Sequence, residues 1–167
     1  MLKKIAIAAP MAILALTSSM AFAIGEARHA INLLATIPSD VFYVLPVDPD
    51  LIVKDQRLIY DPFSSQLSTL RAQFDTKNSN GSIAAMLENA AYLSNGVPAE
   101  NIQLAVTFNG RALNHTAPVE VLNDADSTPG KRVELTVVPT RPTNGYVAGD
   151  YTGVVALRFD AVLPVTP

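Results

Sequence analysis

The chain has 167 residues with 12 basic and 15 acidic side chains, a formal charge of −3. That is room for one domain with a real core, and the acidic balance argues against nucleic acid or an anionic membrane surface as a partner. There is no cysteine, so neither a disulfide framework nor thiolate chemistry is on offer.

The first 23 residues carry the pattern of a secretory leader. Lys3 and Lys4 form its basic end, Ile5 to Leu16 its apolar segment, and Ala21-Phe22-Ala23 a small-residue cleavage site. As a membrane anchor the same run is short, broken by Pro10 and followed by Thr17-Ser18-Ser19. Cleavage after Ala23 starts the mature chain at Ile24 and removes only two charges, leaving ten basic against fifteen acidic residues and a formal charge of −5.

A polar stretch, Gly25 to His29, precedes Ile31-Asn32-Leu33-Leu34-Ala35-Thr36-Ile37, which Pro38 closes. Side chains alternate across a strand, so Ile31, Leu33, Ala35 and Ile37 share one face, with Leu34 an apolar exception on the other. By periodicity alone this is either the first strand of a self-contained sheet or a strand offered elsewhere. Next come Val41 to Leu45, ending at Pro46 and the turn-forming Asp48-Pro49-Asp50, then the short runs Leu51-Ile52-Val53 and Leu58-Ile59-Tyr60. Leu70, Ala72 and Phe74 alternate with Arg71 and Gln73 up to a turn at Lys77 to Gly81.

Ser82 to Leu93 is ambiguous. Ile83, Met86, Leu87, Ala90 and Ala91 fit a helical face, Ser82 is a fitting cap and Asn95-Gly96 a fitting end, so local pattern favours a helix. Beyond it the strand signal returns. Ile102, Leu104, Val106 and Phe108 alternate up to Asn109-Gly110, the strongest two-residue hairpin signal. Val119 and Val121 precede a polar loop from Asn123 to Gly130, and Val133, Leu135 and Val137 follow it. Tyr151, Gly153, Val155, Leu157 and Phe159 alternate along a last strand. Short strands punctuated by Pro, Gly, Asn and Asp describe an all-β sandwich or barrel in one domain from Ile24 to Pro167.

The stretch Gly149-Asp150-Tyr151-Thr152-Gly153-Val154-Val155-Ala156-Leu157-Arg158-Phe159, preceded by Pro139, Pro142 and Gly145, resembles the C-terminal strand of the major subunits of α-fimbriae. That family includes the colonisation factor antigen I pilin and the cable pilin, assembled by the alternate chaperone–usher route. The other end is similar to the family as well: a leader, the polar start Gly25 to His29, the strand Ile31 to Ile37 with Pro38, then Val41 to Leu45.

The resemblance implies an immunoglobulin-like β-sandwich over residues 39–167, incomplete in one subunit and completed by a donor strand from residues 24–38 of the next. It implies Ile31, Leu33, Ala35 and Ile37 as the donor residues, and Tyr151, Gly153, Val155, Leu157 and Phe159 as the border of the acceptor groove. It also makes Ser82 to Leu87 extended, against the local pattern. The implied partners are the chain itself, a periplasmic chaperone, an outer-membrane usher, a minor tip adhesin and a host receptor. The implied product is an adhesive fibre at the cell surface, reached through the periplasm. A different class of protein, a monomeric exported immunoglobulin-like binding module, would keep Ile31 to Ile37 in its own sheet.

Chemistry at single sites has little support. His29 and His115 lack ligand-like spacing, and Asp124-Ala125-Asp126 lacks the glycine and closing glutamate of a calcium loop. No phosphate-cradling glycine loop or nucleophile elbow is present. No metal, no cofactor and no enzymatic activity are expected.

Overall fold

The computed structural model describes residues Val41 to Pro164. The leader, the polar start and the strand Ile31 to Ile37 lie outside the described residues. Among the described residues eleven strands, two single-turn α-helices and one 3-10 turn follow one another in this order: β1 (Phe42–Pro46), α1 (Asp50–Val53), β2 (Tyr60–Asp61), β3 (Gln66–Leu67), β4 (Leu70–Asn78), β5 (Ser82–Leu87), β6 (Tyr92–Leu93), the 3-10 turn (Pro98–Glu100), β7 (Ile102–Phe108), β8 (Arg111–Ala112), β9 (Val119–Leu122), α2 (Asp124–Ser127), β10 (Lys131–Pro139) and β11 (Leu157–Val162).

Two open sheets hold the core between them. The larger runs β1-β4-β10-β7-β6, with β8 on the far end of β7, and the smaller runs β11-β5-β9. Every described pairing is antiparallel, as an all-β fold with short connections requires. The alternation read in the sequence sets which face turns inward. On β7, Ile102, Leu104, Val106 and Phe108 are buried while Gln103 and Ala105 are exposed, and on β10 Val133, Leu135 and Val137 are buried. Asn109 and Gly110 both have positive φ, 50° and 73°, and close the β7–β8 hairpin with the twist that flanking strands need.

Ser82 to Leu87 is extended. Ladders with β11 on one side and β9 on the other fix its backbone, and a register shift between Ile83 and Ala84 lets Ile83, Ala84, Ala85 and Leu87 all be buried. The helix-forming bias of Ala, Met and Leu is worth tenths of a kcal/mol per residue and gives way to two hydrogen-bonded neighbours.

Two expectations need correction. Leu51-Ile52-Val53 lies in the single helical turn α1, entered by Pro49 and tied by Lys54 Nζ to Asp50 Oδ2 at 2.6 Å. Its Leu51 packs on the core while Ile52 and Val53 stay exposed. The last strand, expected over 151–159, runs from Leu157 to Val162. Tyr151 and Gly153 precede it because the chain is still held to the other sheet there: Ser94 and Thr152 exchange backbone hydrogen bonds of 2.8 and 2.9 Å. Gly153 passes so close to the Tyr92 carbonyl that a Cβ would lie 2.2 Å from its oxygen, a packing requirement that only glycine meets.

Candidate functional site

The connections fix which strands face each other. A three-residue turn joins β4 to β5, so β5 lies over β4. The α2 turn joins β9 to β10, so β9 lies over β10, and β11 is the strand beyond β5 in the smaller sheet as β1 is the strand beyond β4 in the larger. Asn123 Oδ1 accepts the Asp126 N–H at 2.8 Å to cap α2. The fully buried Ser127 hydroxyl donates to the Gly81 carbonyl and pins the helix to the β4–β5 turn.

One side of the sandwich is closed. Beyond β7, the segment around β8 crosses to the smaller sheet: Leu87 N–H donates to the Asn114 carbonyl at 2.9 Å, and Asn109 Nδ2 donates to the Val121 carbonyl at 2.7 Å. On the opposite side β1 and β11 are both edge strands, and no backbone hydrogen bond joins them among the described residues.

Val106, Phe108, Val121, Leu122, Val133, Leu135 and Val137 are all buried, whereas Val44, Leu70 and Ala72 of the larger sheet and Val155, Leu157 and Phe159 beside the smaller one pack on the core yet remain partly exposed, as do Leu51, Leu93 and Val119 elsewhere. Phe159 sits at the seam. Its ring centroid is 4.9 Å from that of Phe108 and 6.5 Å from that of Phe74, which themselves meet edge to face at 5.5 Å. What this side presents is backbone donors and acceptors along two edges, with apolar side chains between them. An extended segment is the ligand that uses both at once.

Of the residues expected at a groove, Val155, Leu157 and Phe159 lie together on this side. Tyr151 is elsewhere, its hydroxyl donating to the Val147 carbonyl at 3.1 Å and accepting from Asn95 Nδ2 at 3.3 Å. Gly153 packs against Tyr92 and Leu93. Ile31, Leu33, Ala35 and Ile37 lie outside the described residues. The facing wall of Val44, Leu70 and Ala72 was missed in the sequence. Its signal was available in the position of Val44 and Leu70 on alternating strands flanking the Pro-rich excursion.

Among the described residues no three potential metal ligands converge. His115 is exposed, Asp126 pairs with Lys131 at 3.0 Å, and Asp124 Oδ1 accepts from the Thr128 hydroxyl at 2.9 Å. Titration is displaced at Asp61, whose carboxylate accepts from the Ser64 hydroxyl, and at Asp75 and Arg132. The Arg132 guanidinium, donating to both carboxylate oxygens at 2.7 and 2.8 Å, holds the Asp75 carboxyl below its usual range, and Asp75 in turn raises Arg132. This is a cross-strand pair of the β4–β10 ladder, remote in character from a catalytic dyad.

Compared with known proteins, residues 27–160 match the family described as "CS1 type fimbrial major subunit". Among solved structures the fold is similar to that of the CooA pilin subunit from enterotoxigenic Escherichia coli, with a TM-score of 0.53 and 20% identity over 70% of this chain and 86% of that one. No curated protein sequence matches the chain.

Proposed function

The chain belongs to the CS1 type fimbrial major subunit family, and we propose that it builds its fibre by donor-strand exchange. The family is one of structural pilins, so a subunit of a cell-surface pilus is the starting point, and the open question is how one subunit holds the next. What supports the reading is that, among the described residues, β1 and β11 are both edge strands, with six apolar residues on or next to them only partly buried against the core.

The seven residues Ile31 to Ile37 suit that flank in length and pattern. β1 has five residues and β11 has six, so a seven-residue strand spans both edges. Its single apolar face, Ile31, Leu33, Ala35 and Ile37, would meet Val155, Leu157 and Phe159 on one wall and Val44, Leu70 and Ala72 on the other. Burying Ile31, Leu33 and Ile37 contributes about 5–9 kcal/mol before entropy costs, and each ladder hydrogen bond adds about 0.5–1.5 kcal/mol net. That suffices for a joint in a chain without cysteine.

An open edge over an apolar core also invites indiscriminate association. A periplasmic chaperone lending a strand during export, and an outer-membrane usher where the next subunit's strand replaces it, are the partners this chemistry calls for. The leader of residues 1–23 supplies the export signal. Adhesion to a host surface, directly or through a minor tip adhesin, is the fibre's task in this reading.

The test compares the melting and size of three purified forms: the mature chain, a chain beginning after Pro38, and one with Ile24 to Pro38 moved behind Pro167 through a flexible linker. Donor-strand exchange predicts a stable monomer from the transplanted form, polymer or aggregate from the mature chain, and an unstable truncation. A mature chain that is a stable two-state monomer and never polymerises returns the protein to the class of exported binding modules.

A further inference from the structure

Asparagine is followed by glycine four times, at Asn80-Gly81, Asn95-Gly96, Asn109-Gly110 and Asn144-Gly145. Asparagine is among the chemically labile side chains, and a glycine after it lacks the Cβ that would shield the next backbone nitrogen. That nitrogen can attack the carboxamide carbon where both groups are unengaged. The fold leaves the four pairs in different states.

Two of them are held by their side chains. Asn95 Oδ1 accepts the Val97 N–H at 3.0 Å, and its Nδ2 donates to Tyr151 Oη at 3.3 Å and to Glu100 Oε2 at 2.5 Å. Asn109 Nδ2 donates to the Val121 carbonyl at 2.7 Å. At Asn144 the side chain is exposed, but the attacking nitrogen is engaged, because the Gly145 N–H donates to the Pro142 carbonyl at 2.9 Å. Asn80 differs from all three. It is exposed in the β4–β5 turn, and among the described residues neither its carboxamide nor the Gly81 N–H has a hydrogen-bond partner.

We propose that Asn80 is a site of spontaneous deamidation, the first of the four to react in the folded chain. The Gly81 nitrogen bonds to Asn80 Cγ, the carboxamide nitrogen leaves as ammonia with the proton that Gly81 gives up, and a succinimide ring remains. Water then opens the ring at either carbonyl. One opening gives aspartate on the normal backbone, the other isoaspartate, whose backbone is longer by a carbon, and both add a negative charge.

The turn has no slack for the longer product. Gly81 has a φ of 124°, its carbonyl accepts the buried Ser127 hydroxyl, and a Cβ on it would lie 2.0 Å from the Val162 carbonyl oxygen. An extra backbone carbon before Gly81 therefore displaces the anchor of α2 and the end of β11 together, whereas aspartate leaves the backbone in place. Nor can a bulkier residue stand at Gly81 to slow the reaction, so the lability is built into the turn.

The test incubates the purified full chain at neutral pH in the assembly state in which it is isolated, and maps deamidation by fragment-ion mass spectrometry. Isoaspartate is read separately by its enzymatic methylation. The mass gain of amide-to-acid conversion is expected at Asn80 before Asn144, and at Asn95 and Asn109 only after both. In urea, where the fold no longer distinguishes them, the four sites should react at similar rates. Asn80→Ser should remove the first event and leave the other three sites unchanged. Asn80→Asp should melt like the unaltered chain, and the isoaspartyl form separated from incubated material should melt lower. The proposal is overturned if Asn80 stays intact while another site reacts, or if it reacts no faster than Asn95 and Asn109 in the folded chain. An isoaspartyl form that melts like Asn80→Asp overturns the displacement of α2 and β11.

Discussion

Individual side chains carry unequal shares of this fold. Phe108 is fully buried and contacts both Phe74 and Phe159. Phe108→Ala should cost about 3–5 kcal/mol in denaturant unfolding, since it removes a large ring and leaves a cavity that two aromatic neighbours fill only in part. Gly153→Ala adds a single carbon, yet that carbon meets the Tyr92 carbonyl oxygen at 2.2 Å. The crossover from β6 to β11 must then shift, and a clear drop in melting temperature should follow.

The Asp75–Arg132 pair acts through pH. The aspartate sits below its ordinary value of 3.8 because the guanidinium hydrogen-bonds its charged form. Its contribution is therefore complete above that value and is lost as pH falls through the lowered one. Both groups are exposed, so the effect is small. Melting of Asp75→Asn against the unaltered chain should differ slightly at pH 7 and coincide at pH 2. A difference that survives at pH 2 would assign Asp75 a packing role instead.

At the scale of elements, β5 is where local preference and the fold disagree. It is the central strand of its sheet, with Ala85 at 0% exposure, opposite Phe159 on one side and Val119 on the other. A small side chain is needed there because a phenyl ring already occupies the adjoining space. Ala85→Leu should destabilise by about 1–3 kcal/mol through overpacking, even though leucine suits a strand no worse than alanine, and a chemical melt would show it.

The strands that the sequence made plain, β7 and β10, each bury one face alone, so period-two patterning reports their environment directly. β5 is covered more fully, and its pattern is correspondingly mute. The start of β11 was misplaced for another reason. From Tyr151 to Ala156 the alternation is real, yet the first part of it serves a crossing beside β6 and only the end serves β11. Periodicity records that a segment is extended, not which sheet receives it.

At the scale of the whole sandwich, the described residues bridge the two sheets along β7, β8 and β9 and leave β1 and β11 as edge strands. In an antiparallel edge strand roughly every second N–H points away from its only neighbour. Those amides of β1 and β11 exchange with solvent unless another strand covers them, whereas β4, β10 and β7 have ladders on both sides. Hydrogen exchange therefore reads strand addition locally. If donor-strand exchange joins the subunits as proposed, Leu33→Asp would put a charge on the inserted face and leave the acceptor walls untouched, so it should yield chaperone-bound subunit that does not polymerise. Against that subunit freed of its chaperone, assembled fibre should gain protection at alternate amides of Leu157–Val162 and Phe42–Pro46, with β7 and β10 nearly unchanged. Equal protection of β11 in both states would mean that its outer edge is covered from within the subunit, and the joint between subunits would then have to be sought on another face.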